Sequence, residues 1–193
     1  MCSSDLLLLT LRGTPTVYYG DELGIGDVDI PPDRLQDPRE LREPGLGFGR
    51  DPVRTPMAWD ASPHAGFTTG DPWLPLHRDW PTRNVAAQAG DAASLLALYR
   101  ALLRLRRAHP ALAIGAVTLI EAEGDVLAYE RTHAGERIVV ALNLGAAVQP
   151  APAPRGDFRI LLSTLGSPGD APRSAPQDLA PNEGLILLAQ DRS

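Results

Sequence analysis

The chain has 193 residues, a formal net charge of −6 and a hydrophobic fraction of 44%. This charge is mild and is not gathered in a tail, so we expect neither nucleic acid nor a membrane surface as a partner. The single cysteine, Cys2, excludes an intrachain disulfide and a cysteine-based metal cluster, and the longest apolar run is far too short to span a bilayer.

The first predicted elements lie within residues 6–24. Leu6 to Leu11 continue an apolar face without a helix start signal, which is typical of the end of a helix. Gly13-Thr14-Pro15 breaks this pattern. Thr16 to Tyr19 then predicts a buried strand, and the polar loop 20–24 follows it.

Residues 25–90 are predicted to form a long loop, because prolines and glycines recur throughout this stretch. The stretch contains all three tryptophans, Trp59, Trp73 and Trp80. A loop of this length inside a compact domain is commonly functional.

The clearest predicted helix lies in the sequence DAASLLALYRALLRLRRAHPAL. Asp91 is expected to cap it and Pro110 to stop it. Arg104, Arg106 and Arg107 suit the negative C-terminal end of the helix dipole. One face of the helix is apolar and consists of Leu95, Leu98, Tyr99, Leu102 and Leu105.

From about residue 116 the pattern changes to short runs typical of β-strands, namely AVTLIE, DVLAYER, ERIVVALNL, FRILLS and GLILLA. Turn signals separate these runs at residues 123–125, 134–135, 152–156 and 166–182. The spacing predicts an antiparallel sheet or sandwich, with a domain boundary near residues 112–116.

Common catalytic motifs are missing from the sequence, including a P-loop, a dinucleotide fingerprint, HExxH and a nucleophile elbow. The four histidines are scattered, and we interpret His109 as a cap or surface residue at a helix end. None of the carboxylates is recognisable as a catalytic pair, since spacing along the chain does not give separation in space.

Four segments carry a resemblance to a known family: GTPTVYYGDELG, RDPVRTPMAWD, AGFTTGDPWLP and NVAAQAGDAASLLALYRALLRLRRAHPAL. Together they resemble the retaining α-glucosidases of the α-amylase superfamily. The nearest types are oligo-1,6-glucosidase and α-glucosidase, with trehalose synthase close by. The RTPMxWD and AGFTTG blocks in this order are a highly specific signal, whereas GTPxxYYGDE is shared more widely in the superfamily.

The resemblance implies a fold class of α/β plus all-β. We expect the last strand, long loop and last helix of a (β/α)8 TIM barrel in residues 7–115, followed by a small antiparallel β-domain in residues 116–193. A whole barrel needs about 250 residues, so we expect a C-terminal fragment that lacks the N-terminal barrel portion. Residues 1–6, MCSSDL, match the translation of a sequencing adapter and are predicted to be a non-native leader.

The resemblance also implies a function, the cleavage of terminal α-linked glucose from short oligosaccharides in carbohydrate metabolism. Retaining glycosidases use two carboxyl groups about 5 Å apart. In the resemblance, the nucleophile, the acid/base and a third carboxylate all lie upstream of the GTPTVYYG strand. We therefore expect no catalytic residue in this chain and no activity of the chain alone. No metal or cofactor is expected, and the expected localisation is cytoplasmic.

The expected substrate-binding residue is Arg54, the arginine of the RTPMxW block, whose planar fork can reach two neighbouring oxygens. The competing interpretation is a structural ion pair with a loop carboxylate such as Asp51 or Asp60. Four further residues are candidates for lining or supporting the pocket: Asp21, Glu22, Trp59 and Phe67.

For three of these four candidates a structural role is the favoured interpretation. Trp59 is expected to pack in the core. Asp21 and Glu22 are expected to support the site indirectly or to cap the next segment. For Phe67, the mouth of the pocket and simple packing within the loop are weighed equally.

Other function classes stay open. One is a non-catalytic relative that shares the barrel without its chemistry, and another is trehalose synthase or a different transglycosylating member. A third is a free-standing sugar-binding β-module in residues 116–193. Such modules expose aromatic platforms, but Tyr129 and Phe158 are the only aromatic residues in this region and fall in strand patterns that suit packing.

Overall fold

The structure, a computed structural model, describes residues 2–152, 157–166 and 178–190. The chain divides into two compact units, one formed by the residues up to 16 together with those from 97 onward, the other by residues 17–96. The predicted turn signals at 152–156 and 166–182 lie mostly outside the described residues. The limits of the predicted leader, barrel part and β-domain stay predictions.

The described residues form five α-helices: α1 (Cys2–Thr10), α2 (Pro38–Arg42), α3 (Val85–Ala89), α4 (Leu95–Ala108) and α5 (Pro110–Ile114). They also form seven strands: β1 (Ala116–Ile120), β2 (Val126–His133), β3 (Glu136–Asn143), β4 (Gln149–Pro150), β5 (Asp157–Ser163), β6 (Asp178–Leu179) and β7 (Gly184–Gln190). Short 3-10 turns interrupt the loop at Asp21–Leu23, Pro32–Arg34, Asp51–Val53 and Pro63–Gly66. None of the described helices has the length and apolarity needed to cross a membrane.

The strands confirm the predicted antiparallel sheet. Five of them pair in the order β1-β2-β3-β7-β5, each antiparallel to its neighbour, while β4 and β6 form a separate short pair. The turn signal between β2 and β3 is confirmed as well. Ala134 and Gly135 have φ angles of 48° and 86°, as a tight type I′ hairpin requires.

Both faces of the five-stranded sheet carry buried apolar side chains. Side chains alternate along each strand, so Val139 and Ala141 lie on one face and Ile138 and Val140 on the other. Helices α1 and α5 contact the second face through β2, β3 and β7. The first face forms a cluster of Ala128, Val139, Ala141, Phe158, Leu179, Leu185 and Leu187.

The two aromatic residues of the β-region are buried. Tyr129 is 1% exposed and Phe158 is 8% exposed. Neither side chain offers a surface on which a sugar ring could stack, which argues against a sugar-binding β-module based on these residues.

The Arg131 side chain holds the ends of two helices against the sheet. It is fully buried, and it donates hydrogen bonds from Nη1 to the carbonyl oxygens of Thr10 and Leu112 and from Nη2 to that of Gly115. These carbonyls lie at the C-terminal ends of α1 and α5, where helical backbone leaves its acceptors unsatisfied. Burial lowers the pKa of this guanidinium, whereas the negative helix ends around it favour its positive charge.

Arg106 on α4 likewise donates hydrogen bonds to backbone carbonyls at the ends of α1 and α5. Its Nη1 donates to the carbonyl oxygens of Leu9 and Leu11 at 2.9 Å each and of Leu112 at 2.8 Å, and its Nη2 donates to that of Gly13. The residue lies in the last turn of its own helix, as predicted, and its 9% exposed side chain in addition satisfies the carbonyls of neighbouring segments. Burial lowers the pKa of Arg106 also.

The prediction of a buried strand at Thr16 to Tyr19 is wrong. These residues are irregular, and Val17, Tyr18 and Tyr19 are between 40% and 44% exposed. A strand needs a neighbouring strand to satisfy its backbone, and none of the described strands pairs with this segment. The predicted helix end before it is confirmed as α1.

The predicted helix is confirmed as α4, and Leu98, Tyr99 and Leu102 are buried on its apolar face. The prediction that Asp91 caps this helix is wrong, because its carboxylate accepts from Ala93 N, two residues before α4 begins.

At that N-terminus, Gln88 Oε1 accepts from Leu96 N at 3.1 Å. His109 caps α5 through its backbone position and contacts Glu136 Oε1 through Nδ1 at 2.6 Å. Its interpretation as a residue at a helix end is thus confirmed.

Replacing Arg131 with methionine is expected to lower the free energy of unfolding. The change leaves the buried carbonyls of Thr10 and Gly115 without this donor, at about 1–3 kcal/mol for each unsatisfied group. Urea unfolding followed by circular dichroism measures the effect. The control is Arg104→Met on the exposed side of α4, which should shift the midpoint little. Equal midpoints for the two variants would contradict a stabilising role for Arg131.

Candidate functional site

A cavity of about 490 Å³ lies in the unit formed by residues 17–96. Its volume is within the range of small-molecule sites. Two of its lining side chains are charged, Glu22 and Arg54. The others are mainly apolar or aromatic: Tyr19, Thr55, Pro56, Met57, Trp59, Phe67, Pro72, Trp73 and Leu74.

Arg54 stands at the end of the 3-10 turn Asp51–Val53, and its backbone N donates to Asp51 O at 3.0 Å. The Tyr19 hydroxyl donates to Thr55 O at 3.0 Å and so ties the next residue to the segment that was predicted as a strand. The Arg54 side chain is 39% exposed, and within the described chain only its Nη1 has a hydrogen-bond partner. Its remaining N–H groups are therefore available to a ligand in the cavity.

The partner of Arg54 is Asp37, whose side chain is fully buried. Asp37 Oδ2 accepts from Arg54 Nη1 at 3.3 Å, from Arg50 Nε at 2.9 Å and from Arg50 N at 3.2 Å. Asp37 Oδ1 accepts from Arg39 N at 2.9 Å and so caps α2. The Arg39 amide and then the Arg50 side chain lower the pKa of Asp37 from 3.8 to about 2.

The ion pair of Arg54 with a loop carboxylate, the competing interpretation from the sequence, is therefore confirmed, but its partner is Asp37 and neither of the two examples, Asp51 and Asp60. Asp51 is buried and its Oδ2 accepts from the backbone N of Gln36 and of Asp37 at 2.7 and 2.8 Å. Asp60 accepts from Ser62 N and Oγ, which lower its pKa. Both carboxylates shape loop backbone, which is the commonest use of a short acidic side chain in a turn.

The AGF part of the AGFTTG block forms a turn of unusual backbone conformation. His64, Ala65 and Gly66 have φ angles of 57°, 57° and 65°, all in the left-handed region that most side chains avoid. A Cβ atom at position 66 would stand 2.8 Å from Asp60 Oδ2, so any larger residue there requires the Asp60 carboxylate to move. The turn delivers the following residue, Phe67, to the cavity.

The same turn also orients Trp59. Trp59 N donates to Ala65 O at 2.9 Å, and Ala65 itself is completely buried. Trp59 and Phe67 each remain 50% exposed and line the cavity. The expectation that Trp59 packs in the core is therefore wrong, because its backbone is anchored while its indole stays at the surface of the cavity.

The two carboxylates that follow the predicted strand, Asp21 and Glu22, lie in different recesses. Asp21 Oδ2 accepts from Tyr18 N and Glu22 Oε2 accepts from Gly20 N, both at 2.9 Å, so each folds back onto the preceding turn. Glu22 lines the cavity, whereas Asp21 lines a separate recess of about 90 Å³. Four of the five residues proposed from the sequence are thus brought together, and Asp21 is not.

Sequence reasoning missed three residues of this region. Asp37 could have been found from the Asp-Pro pair, which is typical of a helix start. Tyr19 was taken for a strand residue. Trp73 is 48% exposed and its indole Nε1 donates to Arg34 O at 3.0 Å, a contact between positions that no sequence pattern connects.

The acid–base chemistry of the cavity is limited by its composition. Among the described residues that line it, Glu22 is the only carboxylate. A cluster of three or more side chains suited to hold a metal ion does not occur in the described ranges. With a guanidinium, one carboxylate and several aromatic faces, the site has the groups that bind a polyhydroxylated ring.

Residues 3–115 match the family described as alpha amylase, catalytic domain. The chain belongs to the alpha-amylase family. Residues 113–186 match a second family, described as a domain of unknown function, DUF3459. The fold is accordingly the C-terminal part of an alpha-amylase family TIM barrel followed by an antiparallel β-domain.

Individual family members are similar over most of this chain. A probable alpha-glucosidase of Rhizobium meliloti is 39% identical over 77% of this chain and 27% of its own length. An oligo-1,6-glucosidase of Parageobacillus thermoglucosidasius is 34% identical over 69% of this chain and 27% of its own. The chain thus spans about a quarter of the length of these relatives.

The fold is also found in a solved structure. The structure of the trehalulose synthase MutB from Pseudomonas mesoacidophila superposes on this chain with a TM-score of 0.81 and is 31% identical in sequence. The superposition covers 96% of this chain and 37% of the synthase. The glycoside hydrolase character of the family follows from these relatives and from the catalytic-domain match.

Replacing Asp37 with asparagine should lower the melting temperature at neutral pH, because Arg50 and Arg54 lose their shared anion. The pKa of Asp37 is lower in the folded chain than in the unfolded one, so its contribution is complete above about pH 4 and is lost as the pH falls through about 2. Melting curves between pH 7 and pH 2 test this. The difference between native and variant protein should shrink only in that acidic window; a constant difference down to pH 2 would contradict it.

Replacing Gly66 with alanine should destabilise the loop, since alanine in a left-handed conformation costs about 1–2 kcal/mol and its Cβ would meet the Asp60 carboxylate. The matched control is Gly70→Ala, where a Cβ has no neighbour within 4 Å. Urea midpoints monitored by tryptophan fluorescence compare the two. Similar stability of both variants would show that the turn tolerates a side chain.

Proposed function

We propose that this chain is the sugar-holding C-terminal part of a retaining α-glucosidase that acts on the terminal α-linked glucose of short oligosaccharides. The observation that supports the proposal is the cavity of the alpha-amylase family segment, where Arg54 keeps unpartnered N–H groups beside Glu22 and aromatic side chains. A guanidinium with one fixed nitrogen presents its remaining donors in a plane, which suits adjacent sugar hydroxyls.

In this proposal the covalent chemistry belongs to a preceding segment. A retaining mechanism needs a nucleophile and an acid/base about 5 Å apart. The described cavity residues supply a single carboxylate, Glu22, and its Oε2 already accepts from Gly20 N. The role of this chain is then to bind and orient the glucose, while the two reacting carboxylates approach from the rest of the barrel.

Trehalulose synthase likeness favours a second candidate, a sugar-isomerising or transglycosylating member of the family. The same cavity serves either reaction, because both begin by holding the terminal glucose. They differ in whether water or a sugar hydroxyl receives the glucosyl group. A product analysis of the complete enzyme with sucrose and maltose separates the two.

The chain alone is expected to show no turnover of nitrophenyl α-glucoside or isomaltose, because the proposal places the carboxylate pair in a preceding segment. Release of nitrophenol and of glucose measures this over a long incubation. A second preparation with Glu22→Gln serves as a control for contaminating glucosidase, which the substitution does not affect. Turnover that disappears in Glu22→Gln would place a catalytic carboxylate inside this chain and contradict the proposal.

Arg54→Ala should weaken binding of glucose and maltose by about 10- to 150-fold, since a hydrogen bond to a charged group is worth about 1.5–3 kcal/mol. Arg54→Lys should recover only part of it, because an ammonium cannot span two oxygens. Titrations followed by NMR measure both. The control is Arg78→Ala, whose side chain is 91% exposed and lies outside the cavity. If Arg54→Ala lowers the melting temperature yet binds sugar normally, Arg54 is only an ion-pair partner of Asp37.

A further inference from the structure

Trp73 combines exposure with a fixed orientation. It is 48% exposed and lines the cavity, yet its one polar atom, Nε1, is bound to Arg34 O at 3.0 Å. The rest of the indole is an apolar aromatic surface. Trp59 and Phe67 line the same cavity and are also half exposed, and exposed apolar side chains grouped in this way are typical of a binding surface.

The lining of the cavity contains both charged and apolar side chains. Arg54 and Glu22 contribute charge, while Pro72 and Leu74 flank the indole along the chain with further apolar surface. A glucose held by charged groups therefore has an aromatic surface available within the same cavity. The apolar C–H face of a pyranose ring is the chemical complement of such a surface, because the face of an aromatic ring is electron-rich.

We propose that Trp73 stacks on the second sugar ring of an α-linked disaccharide and so determines a preference for disaccharides over glucose. This inference rests on the proposed function, which assigns the terminal glucose to Arg54. Trp59 is less suited to the role, because no described residue accepts a hydrogen bond from its indole. A preoriented ring loses less freedom on binding than one that must first be ordered.

The test uses the full chain and three sugars: glucose, maltose and isomaltose. Trp73→Ala should weaken maltose binding by roughly tenfold, which corresponds to about 1.4 kcal/mol, and leave glucose binding within about twofold. Trp73→Phe should retain most of the maltose affinity. Trp80→Ala is the matched control, because Trp80 lies in the same loop but does not line the cavity.

A second measurement records sugar binding on the native protein. In ¹⁵N-labelled native protein, maltose should shift the indole N–H signal of Trp73, while glucose should leave it in place. Phenylalanine substitution of each tryptophan assigns the three indole signals.

The outcomes separate the two proposals. If maltose and glucose bind with equal affinity, or if Trp73→Ala weakens both equally, Trp73 does not contact a second ring although the cavity holds sugar. If no sugar binds the native chain at all, the proposed function fails and this inference fails with it. A tenfold loss confined to maltose and isomaltose supports both.

Discussion

In the unit that contains the sheet, two buried guanidinium groups hold the ends of helices α1 and α5 in place. Among the described residues, neither Arg106 nor Arg131 has a carboxylate partner, and carbonyl oxygens at the ends of α1 and α5 stabilise each positive charge. Helix ends leave several acceptors unsatisfied, and burying them against a sheet is unfavourable unless donors reach them. One planar group with several N–H donors solves this for two helices at once, which a lysine could not do.

In the unit formed by residues 17–96 the buried group is an acceptor, a single carboxylate that several donors surround. Asp37, buried and ionised, gathers a helix start and two arginines around one carboxylate. Arg54 therefore reaches the cavity already oriented, with part of its charge satisfied and the rest directed by its rigid plane. The cost of holding a long flexible side chain is met when the loop folds and not when a ligand arrives.

Much of the architecture could be predicted from local pattern. The periodic face of α4, the short apolar runs of β2, β3 and β7 and the Ala134-Gly135 turn are each visible in residues that are close in sequence. The failures have a common cause. Thr16 to Tyr19 has the composition of a strand, but pairing depends on another segment, and the partner of Arg54 is a carboxylate 17 residues earlier whose burial no pattern reveals.

The turn before Phe67 has a consequence for how such a site can change. The turn depends on Gly66, which has no side chain, and on the adjacent carboxylate of Asp60. Neither residue lines the cavity. The residues that do contribute it, among them Trp59, Phe67 and Trp73, are half exposed and have few packing obligations. The backbone of the turn and the side chains that line the cavity can therefore be changed independently. A library that randomises these three positions while keeping Gly66 could yield sites for new ligands on the same loop backbone.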